Sequence, residues 1–131
     1  MADKLFLELV SPEKLLVSSE VDNVFAHGAG GAFGLYPDHS PFCTELIPCV
    51  LSYAVGQETF KVAVSGGFLT VSDNKVNVLA DGAVPSADIN ADVYKARHEK
   101  AVQALDSAES DEERKLRQKE LDFLDAALSL L

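Results

Sequence analysis

An α+β chain, strands first and helices after, is expected from three features of the sequence. All eight glycines lie at or before Gly82 and all five prolines at or before Pro85, so the turn-forming residues stop at one point. Before that point short apolar runs are cut by turns, and beyond it helix formers continue without a breaker. Two domains follow from this boundary: residues 1–85 as a β-sandwich or barrel, and residues 86–131 as an antiparallel two-helix hairpin.

In the first part the strands are read as Leu5 to Val10, Leu15 to Val17, Val21 to Ala26, Val50 to Val55, Thr59 to Val64, Phe68 to Val71 and Val76 to Leu79. Phe60, Val62 and Val64 share one face, as do Val76 and Val78 beyond a turn at Ser72-Asp73-Asn74, and this alternation belongs to half-buried antiparallel strands. Such strands require two layers that bury their inner faces against each other.

The first helix is expected from an Asp88 cap to about Ala108, with Ile89, Val93, Ala101, Ala104, Leu105 and Ala108 near one side. Ser110-Asp111-Glu112-Glu113 matches a capping box and opens a second helix, in which Leu121, Leu124, Leu128 and Leu131 recur at three- and four-residue spacing. Asp111 with Lys115 and Glu113 with Arg117 stand at supportive i,i+4 spacing.

Composition removes several classes of function. The 21 acidic residues against 11 basic ones give a net charge of −10, a field that repels polyanions and excludes nucleic acid as a partner. No segment approaches the roughly 20 apolar residues that span a bilayer, so no membrane insertion is expected. The start, Met1-Ala2-Asp3-Lys4-Leu5-Phe6, lacks the charged and apolar regions of a signal or transit peptide, which leads to an expectation of a cytoplasmic location. Cys43 and Cys49 form neither a zinc set nor a disulfide framework and are read as inert thiols.

The stretch from His27 to Pro41 holds four glycines, two histidines and two prolines. It is no phosphate cradle: counting from Gly28 and Gly30 puts Phe33 at the third glycine position, and Tyr36-Pro37 follows instead of a helix. Asp38-His39-Ser40 has the residue types of a hydrolytic triad, but contiguous neighbours do not line up base, orienter and nucleophile. His27, His39 and His98 show no metal-ligand spacing. The pattern leaves two readings of the segment open, a structural connection or a preorganised contact surface.

Four motifs carry a resemblance: Leu9-Val10-Ser11-Pro12, the run from Gly28 to Pro41, Ser65-Gly66-Gly67-Phe68, and Val78-Leu79-Ala80-Asp81. In this order and spacing, with a helical hairpin behind them, they resemble the epsilon subunit family of bacterial F-type ATP synthase, called delta in mitochondria. The resemblance implies a ten-stranded β-sandwich followed by two helices, with no catalysis of its own. It implies a place in the central stalk of a proton-translocating synthase, at the cytoplasmic face of the bacterial inner membrane. The partners implied are the gamma subunit, the ring of c subunits, and the alpha and beta subunits when the hairpin extends to restrain ATP hydrolysis.

In that family the segment from Gly31 to Pro41 lies toward the c ring, which makes Gly31, Phe33, Tyr36 and His39 the contact candidates. Ile89, Val93, Leu105, Leu121, Leu124 and Leu128 are the corresponding candidates in the regulatory hairpin. Family members that bind ATP there carry Ile/Leu-Asp-x-x-Arg-Ala. Counted from Ile89, Asn90 replaces the acid and Val93 the arginine, so no cofactor is expected. Asp38 and Cys49 stand where glycine is usual, and His27 where proline or threonine is. A free-standing sandwich that binds a ligand or peptide, dimerised by its tail, is the alternative reading.

Overall fold

The computed structural model describes residues 4–131; the reading of Met1 to Asp3 lies outside the described residues. Ten strands come first: β1 (Leu5–Val10), β2 (Leu15–Val21), β3 (Asn23–Gly28), β4 (Gly31–Leu35), β5 (Phe42–Leu46), β6 (Cys49–Val55), β7 (Glu58–Val64), β8 (Gly67–Ser72), β9 (Lys75–Ala80) and β10 (Ala83–Pro85). A short 3₁₀ turn at Ser86–Asp88 leads into α1 (Ala91–Asp106) and α2 (Asp111–Leu128).

The strands run in the order β10-β7-β6-β3-β5-β8-β9-β1-β2, with β4 attached to β3. Only the pair Gly28↔Leu46 joins β3 to β5, so the sheet folds over at that seam into two layers. The layers share one core, into which Leu5, Leu7 and Leu9 of β1 and Val62 and Val64 of β7 point without exposure. Among the described residues all strand pairings are antiparallel except β1 with β9, which run parallel.

Three strands have no counterpart in the alternation pattern: β4, β5 and β10. The first, Gly-Ala-Phe-Gly-Leu, has weak strand propensity and is held by five pairings to β3. The last ends in Pro85, which has no amide to donate and sits on the outermost strand. Ser72-Asp73-Asn74 does turn, with φ of 52° at Asp73 and 63° at Asn74, the geometry of a tight hairpin between β8 and β9.

The first helix starts later than expected. Asn90, not Asp88, is its N-cap: the Asn90 side chain accepts from the Val93 amide at 3.1 Å, while Ile89 is extended. The stripe counted from Ile89 therefore includes a residue outside the helix. Tyr94 and buried Ala101 face the core, and Val93 is 53% exposed. At α2 the Ser110 hydroxyl accepts from the Glu113 amide at 3.1 Å, and the Glu113 carboxylate reaches back to the Glu109 amide at 3.3 Å. The ion pairs differ from those read at i,i+4 spacing: Arg114 meets Asp111 and Arg117 meets Glu120.

The hairpin lies on the outer side of β6 and β7. On β7, Val62 and Val64 face the sandwich core while Ala63 faces outward and is buried by Phe123, Leu124 and Ala127 of α2. Small side chains at Ala63, Ala101 and Ala127 allow close approach of helix and strand. Lys119 reaches Asp81 in the turn between β9 and β10 at 2.7 Å, an exposed ion pair between hairpin and sandwich.

Candidate docking surfaces

The connections of the sandwich gather at two ends. One end holds the β4–β5 loop and the β8–β9 turn. In that loop the His39 amide donates to Tyr36 O at 3.2 Å, closing a turn with Pro37 second and Asp38 third at φ 65°. A positive φ at the third position defines a type II turn, for which glycine is the easy choice; here aspartate takes it. Tyr36, 54% exposed, meets Phe25 edge to face at 5.8 Å between centroids. His39 and Phe33 both pack against Phe42, at 6.0 and 5.4 Å.

Gly31 belongs to the other end. It sits beside the Ala29-Gly30 turn at φ 120°, and β4 separates it from Tyr36 by about 16 Å at the usual strand rise. The structure therefore groups Phe33, Tyr36 and His39 and leaves Gly31 apart. The same end carries Ile47, 45% exposed, whose amide donates to His27 O at 3.2 Å. Cys49 starts β6 here without positive φ, so the turn after Pro48 does not need glycine. Burial pushes the Cys49 thiol up, only partly offset by its contact with His27 O.

A surface absent from the sequence reading covers the outer face of the second layer. Cross-strand register sets Phe68 beside Leu79, Leu79 beside Val10, and Val10 beside Leu15. Phe68, Leu79 and Leu15 are each more than half exposed. This apolar row lies on the layer opposite the one covered by the hairpin, and Glu45, opposite Phe68, ends it.

Of the hairpin candidates, Leu124 is fully buried, and Ile89 and Leu121 pack partly against it. Leu105 and Leu128 are half-buried, and Val93 points to solvent together with Leu116. The ATP motif belongs at the helix start, and the observed start at Ala91 gives Ala91-Asp92-Val93-Tyr94-Lys95-Ala96. In this register Asp92 stands at the acid position, while Ala91 replaces the Ile/Leu and Lys95 the arginine. Among the described residues no group of His, Cys, Asp or Glu has the arrangement of a metal site, and no helix is long and apolar enough to cross a membrane.

Comparison with known proteins agrees with this architecture. Residues 4–86 match the β-sandwich domain family of the ATP synthase delta/epsilon chain. The ATP synthase epsilon chain of Paramagnetospirillum magneticum is 43% identical over 115 residues, spanning 87% of this chain and 86% of the relative. That of Nitratidesulfovibrio vulgaris is 45% identical over 105 residues, spanning 80% and 78%. In fold, the chain is similar to one in the Euglena gracilis mitochondrial ATP synthase, described as OSCP/F1/c-ring. The TM-score is 0.81 at 20% identity, covering 98% of this chain and 81% of that one. A chain of the Tetrahymena thermophila central stalk and c-ring gives 0.69 at 13% identity, covering 95% and 96%. On the strength of the family match and the sequence relatives, the chain belongs to the delta/epsilon chain family of ATP synthase, non-catalytic subunits of the rotary complex.

Proposed function

We propose that the chain is a rotor component that docks on the gamma subunit through the Phe68–Leu79–Val10–Leu15 row and meets the c ring with one end of its sandwich. Torque from proton-driven rotation of the ring then passes along the stalk to the alpha and beta subunits, with no bond made or broken on this chain. The observation that carries the reading is the division of the two outer faces. The chain's own hairpin covers the apolar part of one, over Ala63, while the other keeps an apolar row exposed in a protein of net charge −10.

The hairpin is the regulatory part of the proposal. Its docked face is small and rich in alanine, and its ion pair to the sandwich, Lys119 with Asp81, is exposed, so a competing surface on gamma, alpha or beta shifts it readily. Val93 and Leu116, outward in the docked state, become available to that surface. Lys95 supplies a point charge where a guanidinium would offer a planar fork, and nucleotide binding is no part of the proposed role. Unchanged thermal stability on adding magnesium ATP checks that expectation.

The test is a pull-down of the full chain with gamma and the c ring. Tyr36→Ala with His39→Ala probes one end of the sandwich, and Gly31→Asp with Ile47→Asp probes the other. One pair weakens retention of the ring while leaving gamma bound. Failure of the unaltered chain to retain gamma contradicts the proposal.

A further inference from the structure

We propose that the depression on the outer face of β4, β3, β6 and β7 binds a small amphipathic anion, one with an apolar ring or short acyl body and a single acidic head. This site lies beside the hairpin, on the face not assigned to gamma, and is independent of the stalk reading.

Register builds it. Gly34, Phe25, Ser52 and Lys61 stand opposite one another across the four strands, and His27 stands beside Ala32 one step along. Gly34 is required by the packing: a Cβ there would lie 2.5 Å from Phe25 Cε1, so the Phe25 ring rests across the bare backbone. Tyr36 packs against one edge of the ring, and on the other side the small residues Ala32, Gly34 and Ser52 leave a low floor that continues to Val50. The depression encloses about 530 Å³, within the range of small-ligand sites. From Phe25 to Lys61 is two strand spacings, about 10 Å, the length of a two-ring or short acyl body.

Charge selects the head group. Lys61 and His27 are the only ionisable residues lining the depression, and neither side chain has a hydrogen bond or ion pair among the described residues. In a chain with nearly twice as many acids as bases, this is unusual. Three other depressions each include an acid: Glu8 in one, Glu120 beside Arg97 and Lys119 in another, and Glu13 and Asp81 beside Arg97 in a third. An anionic head beside Lys61 and His27 gains charge-assisted contacts, and an apolar body covers Phe25 and Val50. A cationic or uncharged ligand gains only the second part.

Anilinonaphthalene sulfonate, an apolar double ring with one anionic head, is the probe, titrated by fluorescence into the full chain, with decanoate as competitor. Saturable binding is expected, displaced by decanoate and weakened by added salt. Lys61→Gln with His27→Gln weakens it about ten-fold, the worth of one or two charged hydrogen bonds, and Lys61→Arg leaves it nearly unchanged. Both positions are exposed, so folding is not at stake, and amide shifts on binding are expected at Phe25, Ala32 and Ser52. Equal affinity in the double variant, or shifts centred on Phe68 and Leu79, overturns the proposal. These measurements use the isolated chain, so their outcome is separate from retention of gamma.

Discussion

Asp38 and Asn74 clasp one end of the sandwich: the Asp38 amide donates to Asn74 Oδ1 at 2.5 Å, and Asn74 Nδ2 donates to Asp38 Oδ1 at 3.2 Å. Both residues have left-handed backbone, φ 65° and 63°, and Asn74 O also accepts from the Phe6 amide at 2.8 Å. The clasp fixes the turn that displays Tyr36 and His39, so the exposed side chains hold a set position without burial of their own. Asn74→Gly keeps the turn geometry and removes both clasp bonds, with an expected loss of about 1–2 kcal/mol in urea unfolding. Asp38→Gly relieves a left-handed cost of about 1 kcal/mol while losing one acceptor, and is expected to be close to neutral.

Gly67 is the most constrained glycine of the Ser65-Gly66-Gly67-Phe68 motif. Its φ is 140°, and an added Cβ would stand 2.1 Å from Leu79 O and 2.9 Å from Ala80 Cα, backbone atoms that cannot move aside alone. Gly67→Ala is expected to cost more than about 3 kcal/mol through overpacking and strain. Gly30→Ala, with nothing within 4 Å, stays within about 0.5 kcal/mol. Denaturant midpoints of the two variants check the contrast.

Leu124 anchors the hairpin and has no exposure. Leu124→Ala is expected to remove about 2–4 kcal/mol of docking, seen as faster amide exchange throughout α1 and α2 while β8 and β9 keep their protection. Deletion of residues 88–131 extends the same logic. The sandwich core is separate from the hairpin cluster, so the truncated chain stays folded and retains gamma while restraint of ATP hydrolysis is lost. A truncated chain that unfolds would show that the hairpin is part of the core.

Asp22 makes stability depend on pH. A hydrogen bond from Lys4, followed by one from the Gly56 amide at 2.7 Å, holds its carboxyl below the usual carboxylate range. A lowered folded value means that the contribution is complete above the ordinary range and disappears as pH falls through the folded value. Asp22→Asn is expected to flatten the acid limb of the stability profile between about pH 2 and pH 5, with little change in slope near neutrality.

Strands whose side chains alternate were legible in the sequence because one face of each meets the core, as Val62 and Val64 show. β4 was not, because Gly31, Ala32 and Gly34 have little strand preference and pairing to β3 decides the conformation, and β5 is fixed by five pairings to the distant β8. In α1 the apolar residues were visible but the start was not, since a side-chain cap at Asn90 displaced the one that Asp88 suggested. Tyr36 and His39 stood out through the turn chemistry around them. The Phe68–Leu79–Val10–Leu15 row stayed hidden, because it depends on β1 lying parallel to β9, a pairing of distant segments that no local pattern records.

Affinity of the full chain for purified gamma, measured with Phe68→Glu and Leu79→Glu alongside the unaltered protein, tests docking on the stalk most directly. The exposed apolar row predicts tight binding that falls at least about a hundred-fold when two buried acids replace its centre, with the fold intact by circular dichroism. Equal binding by the altered and unaltered chains, or none by either, contradicts it.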